Sequence, residues 1–513
     1  MTRFLLTLFS FILICSCNEN DEDSDGIEIS VQLTTGSGEE IPSTVFMAEN
    51  NQLHIVVPTG SDLSAVVPDI ALSGSTVIIA KEQQSDGTYD LSDFTSPLSF
   101  RVVHRKKGEQ EWKLILYDLP VLMITTPDGQ PITSKEVRTE GCVMQLLNTD
   151  GTMEDLGTAG IRGRGQTSWA QDKKPYNIKL DQKCEILGMD NSKHWILLAN
   201  CYYDRTQLHN DVAFEMARMT DYPWVQEGRF VELFFNGRHQ GLYYLCEKVR
   251  VEKGKIEITE MTAEDISGEA LTGGYLLESY VDYGNYPFDG YPFQTSFFNR
   301  TGYNGENWLA WEIKDPDSGY IIPREQFDYI VSAMNQMEAL IYDDDKLLSG
   351  VYRDYFDIET AINWYLVEEA AANEEASRTK NVTLYKDRGG KFLMGPPWDF
   401  DAWSFGHAGL DASFCSSWSL YYQQLLKDPV FVSRLKEKWN TYLSLWWGRI
   451  PEHIDHRMSQ ICRSAKRNEQ MWPKWTEENM YPYDTYEECV QKMKHNYLVR
   501  LGWLNEYISN LPN

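Results

Sequence analysis

Positive charge is scarce in this chain. Its 47 lysines and arginines stand against 76 aspartates and glutamates, a formal charge of −29 over 513 residues. A phosphodiester backbone needs a basic surface, so nucleic acid is excluded as a partner. A small phosphate ligand, which needs only local positive charge, is not excluded. Metal-binding cysteine patterns are missing too. Beyond residue 17 the thiols are Cys142, Cys184, Cys201, Cys246, Cys415, Cys462 and Cys489, with no Cys-x-x-Cys pair among them. That removes a thiolate zinc site, and an odd count leaves at least one thiol without a partner in the chain. Most read as small buried apolar residues. Long apolar runs are limited to one, at the N-terminus, so nothing later reads as a spanning helix. Core-forming residues, by contrast, are plentiful. Apolar content is 42%, with 16 Trp, 29 Tyr and 21 Phe, which places the chain among folded proteins. Its length predicts two or three domains.

The one apolar run, Phe4 to Ile14, follows Met1-Thr2-Arg3 and is too short to cross a bilayer, so residues 1–17 read as a signal peptide. Its ending, Ile14-Cys15-Ser16-Cys17, resembles the bacterial lipoprotein signal, which implies cleavage before Cys17 and a lipid on that residue. Residues 18–26, Asn-Glu-Asn-Asp-Glu-Asp-Ser-Asp-Gly, form an acidic tether similar to those of surface-exported lipoproteins in Bacteroides-like bacteria. The resemblance implies an outer-membrane lipoprotein, surface-exposed or periplasmic, held by its lipid; the alternative is a plain secretory peptide with an acidic linker. From 27 to 118 short β-patterned runs recur, among them 27–33, 53–57, 75–80, 99–103 and 112–116. At least five strands in about 90 residues predict an Ig-like β-sandwich, a spacer or docking module without a catalytic cluster.

The second unit, 119–513, opens with strand-like runs at 121–125 and 142–147. Next comes a glycine-rich bend, Gly160-Ile161-Arg162-Gly163-Arg164-Gly165, and then Lys173-Lys174-Pro175-Tyr176-Asn177-Ile178-Lys179. Glycines let backbone N–H groups approach phosphate oxygens and a lysine bridges them, although a tight hairpin needs the same glycines. Residues 204–220 predict a helix with Leu208, Val212, Met216 and Met219 on one face. On it Glu215 either meets Lys179 or is simply solvated. Phe230–Phe235, Asn236-Gly237 and Gly241–Lys248 predict a hairpin with an Asn-Gly turn. An aromatic, Gly- and Asn-rich stretch from Asp282 to Asn307 reads as a long loop near the site. Helices are predicted at 327–342, 358–376, 428–446 and 485–511. Between the second and third of these, a hairpin at 382–394 leads into Gly395-Pro396-Pro397-Trp398-Asp399-Phe400-Asp401. Alternate residues of an extended segment share a side, so Asp399 and Asp401 can face one hard cation such as Mg²⁺, Mn²⁺ or Ca²⁺. A solvated Asx turn is the other reading.

Taken together these blocks resemble the CotH kinase family. The glycine-arginine bend, Lys173–Lys179, Trp195–Asn200, Phe230–Gly237, Gly241–Lys248 and Trp398–Asp401 fall in the family's order and spacing over roughly 120–410. The resemblance implies an α+β fold, a divergent protein-kinase-like domain behind the sandwich. It also implies transfer of phosphate from ATP to serines of a secreted protein, with a divalent cation. Carried over by motif, Lys179 contacts the ATP phosphates, and Arg162, Gly163, Arg164 and Gly165 line the turn. Glu215 is the helix glutamate, and the strand ending at Glu247 meets the adenine. Asp399 ligates the metal with help from Asp401, and Asn381 is a second metal ligand. One position departs from the pattern: where the family carries Asn-x-Asp, this chain has Asn373-Glu374-Glu375, which puts Glu375 in the place of the catalytic base. Glu and Asp have similar pKa values, but the extra methylene shifts the carboxylate by about an ångström, enough to cost on the order of 10²-fold. Two further readings therefore stay open. One is a pseudokinase-type surface lipoprotein acting as an adhesion or scaffold module, as fungal relatives that act as invasins do. The other is hydrolysis by paired carboxylates, which leaves the glycine-arginine bend and Lys179 without a role.

Overall fold

The computed structural model describes residues 29–512 except 105–107, 201–203, 282–290, 298–308, 317–320, 379–380, 407–408, 416–418 and 474–483. The signal peptide, the tether and most of the stretch from Asp282 to Asn307 lie outside the described residues. The architecture is mixed α+β and divides into two compact units. The first comprises Met1–Ala199, Arg229–Leu245 and Met458–Pro473; the second comprises Asn200–Gly228, Cys246–Arg457 and Lys474–Asn513. Among the described residues no helix is long and apolar enough to cross a membrane. Cys142, Cys184 and Cys415 are free thiols.

The first unit begins with two sheets over one core. Strands β1 (Ile29–Thr35), β2 (Glu40–Ile41) and β5 (Val66–Leu72) form one, in the order β2-β1-β5. Strands β3 (Thr44–Glu49), β4 (Gln52–Val56), β6 (Ser75–Ile79), β7 (Leu98–His104) and β8 (Gly108–Tyr117) form the other, ordered β3-β4-β8-β7-β6. In β5 Val66, Pro68, Ile70 and Leu72 point inward and the residues between them outward, the period-two pattern of a half-buried strand. Leu33, Ile55, Phe100 and Leu114 from both sheets share the core.

Seven further strands close into a barrel. They are β9 (Val121–Thr125), β10 (Thr139–Leu147), β11 (Met153–Gly163), β12 (Tyr176–Ile186), β13 (Met189–Leu198), β14 (Gly228–Phe235) and β15 (Arg238–Glu247). A single turn, α1 (Thr167–Ala170), sits between β11 and β12. The barrel order is β10-β11-β12-β13-β15-β14-β9, closed by an antiparallel β9–β10 pair and opened to no edge, since β9 also runs parallel to β14. Asn236 and Gly237, both at positive φ, make the predicted two-residue turn between β14 and β15. Phe46, Val56, Tyr117, Val121, Leu147 and Phe234 form one apolar cluster across the two-sheet part and the barrel. Burying that surface makes them one body rather than a barrel with a loose spacer.

In the second unit, strands β16 (Tyr275–Val281), β17 (Tyr291–Phe293), β18 (Leu309–Asp315), β19 (Thr383–Lys386) and β20 (Phe392–Met394) form an antiparallel sheet ordered β17-β18-β16-β19-β20. Its helices are α2 (His209–Arg218), α3 (Arg324–Ile341), α4 (Asp344–Ser349), α5 (Ile358–Ala370), α6 (Tyr422–Leu425), α7 (Pro429–Met471) and α8 (Tyr486–Ser509). Helix α7 extends into the residues of the first unit and runs 25 residues beyond the predicted end at 446, with Pro451 inside it at the loss of one i→i−4 bond. Asp357 caps α5 by accepting from the Thr360 N–H, and from Thr360 to Ala370 every residue of α5 is buried. A helix enclosed on all sides is a core helix, and its end is a rigid place to hang a site. A capping box of Thr485 and Glu488 starts α8.

One buried acid in this unit sets a pH dependence. Glu338 of α3 is fully buried and accepts a hydrogen bond from the Tyr421 hydroxyl at 2.8 Å. Burial pushes its carboxyl up from 4.5 to about 7. Between those values the folded chain holds a proton that the unfolded chain has released, so this contribution is complete below pH 4.5 and lost as pH rises through 7. Glu338→Gln, which keeps the acceptor, is expected to remove about 3 kcal/mol of that decline. Denaturant midpoints between pH 4.5 and 8 check it; identical pH slopes in variant and parent would sink the assignment.

Candidate functional site

The site grows from the end of α5. After Ala371 the chain turns through Ala372 at φ +49° and enters a 3-10 turn, Glu374–Arg378. Asn381, at φ +58°, then begins the β19–β20 hairpin, whose register pairs Leu384 with Met394 and Lys386 with Phe392. Gly395, Pro396 and Pro397 carry the chain out of the sheet to Asp399, itself at φ +72°, and on past Trp403 at φ +60° and Phe405 at φ +54°. Five non-glycine residues in the left-handed region within 34 positions is a concentration of backbone strain, and such strain collects at functional sites.

Hydrogen bonds tie the two halves together. The Glu374 N–H donates to the Trp403 carbonyl at 3.0 Å, and the Phe405 N–H donates to the Ala371 carbonyl at 2.7 Å. Asn373 donates its amide to Glu368 Oε2 at 2.8 Å and accepts from the Glu375 N–H at 3.0 Å, which fixes the turn that bears Glu375. Across it, Asn381 Nδ2 donates to Asp399 Oδ2 at 2.6 Å. The residues predicted as metal ligands from the loop and from the post-hairpin segment are thus in direct contact.

The surroundings are acidic. Asp401 is held well above the ordinary carboxylate range by burial and, after that, by the Asp399 carboxylate, with Glu375 and Asp204 adding to it. Burial likewise raises Glu368, and Glu369, Asp399 and Glu375 add their charge. Charge from carboxylates at four separate places in the chain therefore bears on Asp401 and Glu368, and a cation nearby would relieve it.

Asp204 belongs to a segment that the sequence marked only as a helix start. From Asp204 to Asp211 every residue is buried, and only Leu208 is apolar. Asp204 accepts from the Thr206 hydroxyl at 2.6 Å and the His209 N–H at 3.0 Å, with His209 Nε2 3.5 Å from its other oxygen. Asn210 Oδ1 accepts from the Phe400 N–H at 2.9 Å, and Trp398 stacks on Phe214 of α2 at 5.6 Å. Gln226 donates to the Pro397 carbonyl at 2.7 Å. These residues hold Trp398–Asp401 in place. The available signal was a run of seven polar residues around one leucine at a helix start, where burial is not expected.

The remaining predicted residues are engaged as follows. Lys179 lies on the outward side of β12, with Ile178 and Leu180 pointing into the barrel. The lysine of that stretch which is buried is Lys173: its Nζ donates to the carbonyls of Ala199, at 3.1 Å, and of Leu242, and lies over the Tyr243 ring. Burial lowers its pKa well below the usual lysine range. In the glycine-rich bend, Arg162 Nη1 donates to the Glu136 carbonyl at 3.3 Å, the Arg164 N–H donates to Pro175 O at 3.2 Å, and Gly165 O accepts from Lys135 Nζ at 2.9 Å. A Cβ at Gly163 would meet the Trp169 ring at 2.4 Å, so the close approach this glycine allows is used by an indole. Glu215 pairs with Arg218 one turn along α2, at 2.7 Å. Glu247 is buried, 3.2 Å from Lys255 Nζ, and accepts from the Glu227 N–H at 2.9 Å. The bend and Lys179 belong to the first unit, and Glu215, Glu247, Glu375, Asn381, Asp399 and Asp401 to the second. Among the described residues no three His, Cys, Asp or Glu side chains stand in metal-holding geometry.

The model of the CotH kinase protein family matches residues 161–509. The chain belongs to this family. The match starts inside β11 and runs to the end of α8, so it takes in every site residue above and leaves out the two-sheet part. CotH kinase membership carries a kinase-like role for this span. No curated protein matches the chain. Solved structures that match include a Bacteroides thetaiotaomicron VPI-5482 protein described as a "putative glycoside hydrolase", at 15% identity and a TM-score of 0.14. That alignment covers 40% of this chain and 44% of the other, so the chain spans less than half of that protein, and a similarity this low says nothing about the fold.

Proposed function

We propose that this CotH kinase family member is an extracytoplasmic phosphotransferase that moves the γ-phosphate of ATP to a serine hydroxyl of a protein. On this reading residues 119–513 are a divergent kinase-like body, 27–118 an Ig-like module, and a lipid on Cys17 anchors the chain at the outer membrane. The observation that carries the proposal is the 2.6 Å contact of Asn381 with Asp399, directly after a hairpin, where the charges of Asp399 and Glu375 both bear on the buried Asp401. Asn381, Asp399 and Asp401 supply only oxygen and amide donors, which suits Mg²⁺ or Mn²⁺ and not zinc. A divalent cation held there would supply charge neutralisation at the phosphate oxygens. The chain's own groups do the rest. The serine Oγ attacks the γ-phosphorus, the bond to the ADP oxygen breaks, and the serine proton passes to Glu375.

A second reading is favoured by one feature, the Glu in place of Asp at position 375. It makes the chain a pseudokinase-type surface lipoprotein that binds nucleotide or metal and serves as an adhesion or scaffold module. Transfer of label from γ-³²P-ATP, with Mg²⁺ or Mn²⁺ and serine-rich acceptors, separates the two. Glu375→Gln is expected to lower transfer by roughly 10²- to 10⁴-fold, the usual worth of a positioned base. If the parent protein transfers nothing, nucleotide still raises its Tm, and Glu375→Asp gains transfer, the second reading holds. No label and no Tm shift would remove both.

A further inference from the structure

Glu369, the neighbour of Glu368, is bound to a residue far along the chain. Both Glu369 and Arg500 of α8 are fully enclosed, and Arg500 Nη2 donates to Glu369 Oε2 at 2.6 Å. Arg500 Nε donates to the Glu369 carbonyl at 2.7 Å, while Nη1 donates to the carbonyls of Leu410, at 3.0 Å, and Ala412, at 2.6 Å. The Glu369 carboxylate takes the Ser413 hydroxyl at 2.5 Å and the N–H groups of Cys415, at 2.8 Å, and Phe414, at 3.3 Å. The guanidinium plane lies over the rings of Phe414 and Trp503. Two buried side chains thus satisfy backbone groups of the segment 410–415, which pairs with no strand among the described residues. An isolated buried ion pair is a poor source of stability, whereas one that also bonds several particular backbone groups fixes geometry.

The geometry points to Arg500 as a positioning residue for the phosphotransfer site, acting through Glu369 on the loop that carries Asn373 and Glu375 and on the 410–415 segment. This rests on the phosphotransferase reading for its kinetic consequence, but not for its structural one. The chain of contact is short. Arg500 grips the last turn of α5 at Glu369, on both its carbonyl and its carboxylate. The adjacent Glu368 holds Asn373, and Asn373 holds the Glu375 N–H. The same last turn supplies the Ala371 carbonyl that receives the Phe405 N–H, just beyond Asp399 and Asp401. Of the acidic cluster Arg500 bonds Glu369 alone among the described residues, and reaches Glu375, Asp399 and Asp401 only through it. A lysine here keeps the charge but cannot address Glu369, Leu410 and Ala412 together, because only the planar fork offers donors in those fixed directions.

Arg500→Lys and Ser413→Ala, the second removing a single bond to Glu369, are tested in the full chain. Hydrogen exchange is expected to rise in both variants across 371–378 and 410–415, by about tenfold or more for Arg500→Lys, with the far turns of α5 still protected. Transfer kcat is expected to fall roughly 10- to 100-fold for Arg500→Lys, with the nucleotide KM within about twofold, because a displaced base slows the chemistry without loosening ATP. Unchanged protection of 371–378 overturns the proposal whatever the activity, and so does a KM that rises as far as kcat falls. If Arg500→Lys does not fold, Ser413→Ala carries the same two outcomes. If the parent shows no transfer, the phosphotransferase reading fails by itself and exchange alone decides on Arg500.

Discussion

Asp399→Asn should abolish phosphate transfer while making the metal-free protein more stable. Asparagine is nearly isosteric, tolerates the left-handed conformation found at φ +72°, and can still accept from the Asn381 amide. The fold has no reason to change. What is lost is one negative charge at the position proposed to ligate the cation. Several kcal/mol of transition-state charge stabilisation depend on such a ligand, so transfer is expected to fall about 10³-fold or further. The same change relieves Asp401, which is buried against the Asp399 carboxylate. Removing a like charge from a buried neighbour is worth on the order of 1 kcal/mol. The metal-free Tm should therefore rise, and the additional rise on adding Mg²⁺ should disappear. Differential scanning calorimetry with EDTA and with Mg²⁺, beside the transfer assay, checks both. Transfer that survives, or a Tm that falls as it would for a residue chosen for stability, rules out Asp399 as the ligand. A catalytic carboxylate is retained against the interest of the fold, and opposite signs for activity and stability are its signature.

Much of this site was legible because it is local in sequence. The Asn236-Gly237 turn and the hairpin before Asp399 follow from short-range patterns that leave little choice of pairing. The glycine-proline exit and the two aspartates lie in one continuous stretch, so their neighbourhood could be read directly. The barrel was not legible. Its closure depends on β9 running parallel to β14, more than 100 residues later, and hydrophobic alternation says which face of a strand is buried, not which strand lies beside it. The burial of the Asp204–Asp211 segment was hidden for the opposite reason. Its polar residues predict exposure, and only the hydrogen bonds to one another and to Phe400 make burial affordable. Lysines show the same limit. Alternation places Lys179 outward, but nothing in the sequence says that Lys173, a few residues earlier, is the enclosed one. Buried polar groups are specified by tertiary partners, and those are what a single sequence does not contain.

The other large expected effect lies in the first unit, at another enclosed ion pair. Glu232 of β14 is fully buried and accepts from Arg467 Nη2 and Ser464 Oγ, both at 2.5 Å, and is 2.6 Å from His239 Nε2. Arg467 also donates to the Leu116 carbonyl at 2.7 Å and lies 4.1 Å over the Tyr117 ring, so it joins the barrel to the end of β8. Burial alone would raise the Glu232 carboxyl; Arg467 first and His239 next outweigh it and hold the carboxyl at about 2. A carboxyl depressed in this way contributes stability above its unfolded pKa of 4.5 that is lost as pH falls toward 2. Arg467→Met keeps most of the volume and strands the carboxylate, at an expected cost of about 3–5 kcal/mol near pH 7. For a unit of this size that is a fall in Tm of roughly 10 °C. Because the stranded Glu232 can then take up a proton, the deficit should shrink as the pH is lowered to 5. Adding Glu232→Gln to Arg467→Met should restore most of the loss, since a neutral amide needs no counter-charge, still accepts from Ser464 on its oxygen and can donate from its NH2 to a neutral His239 Nε2. Paired melts of the parent, the single and the double variant at pH 5 and 7 decide it. If the double variant is as unstable as the single, Arg467 acts through its packing on Tyr117 rather than through charge, and the buried pair is not what joins the two-sheet part to the barrel.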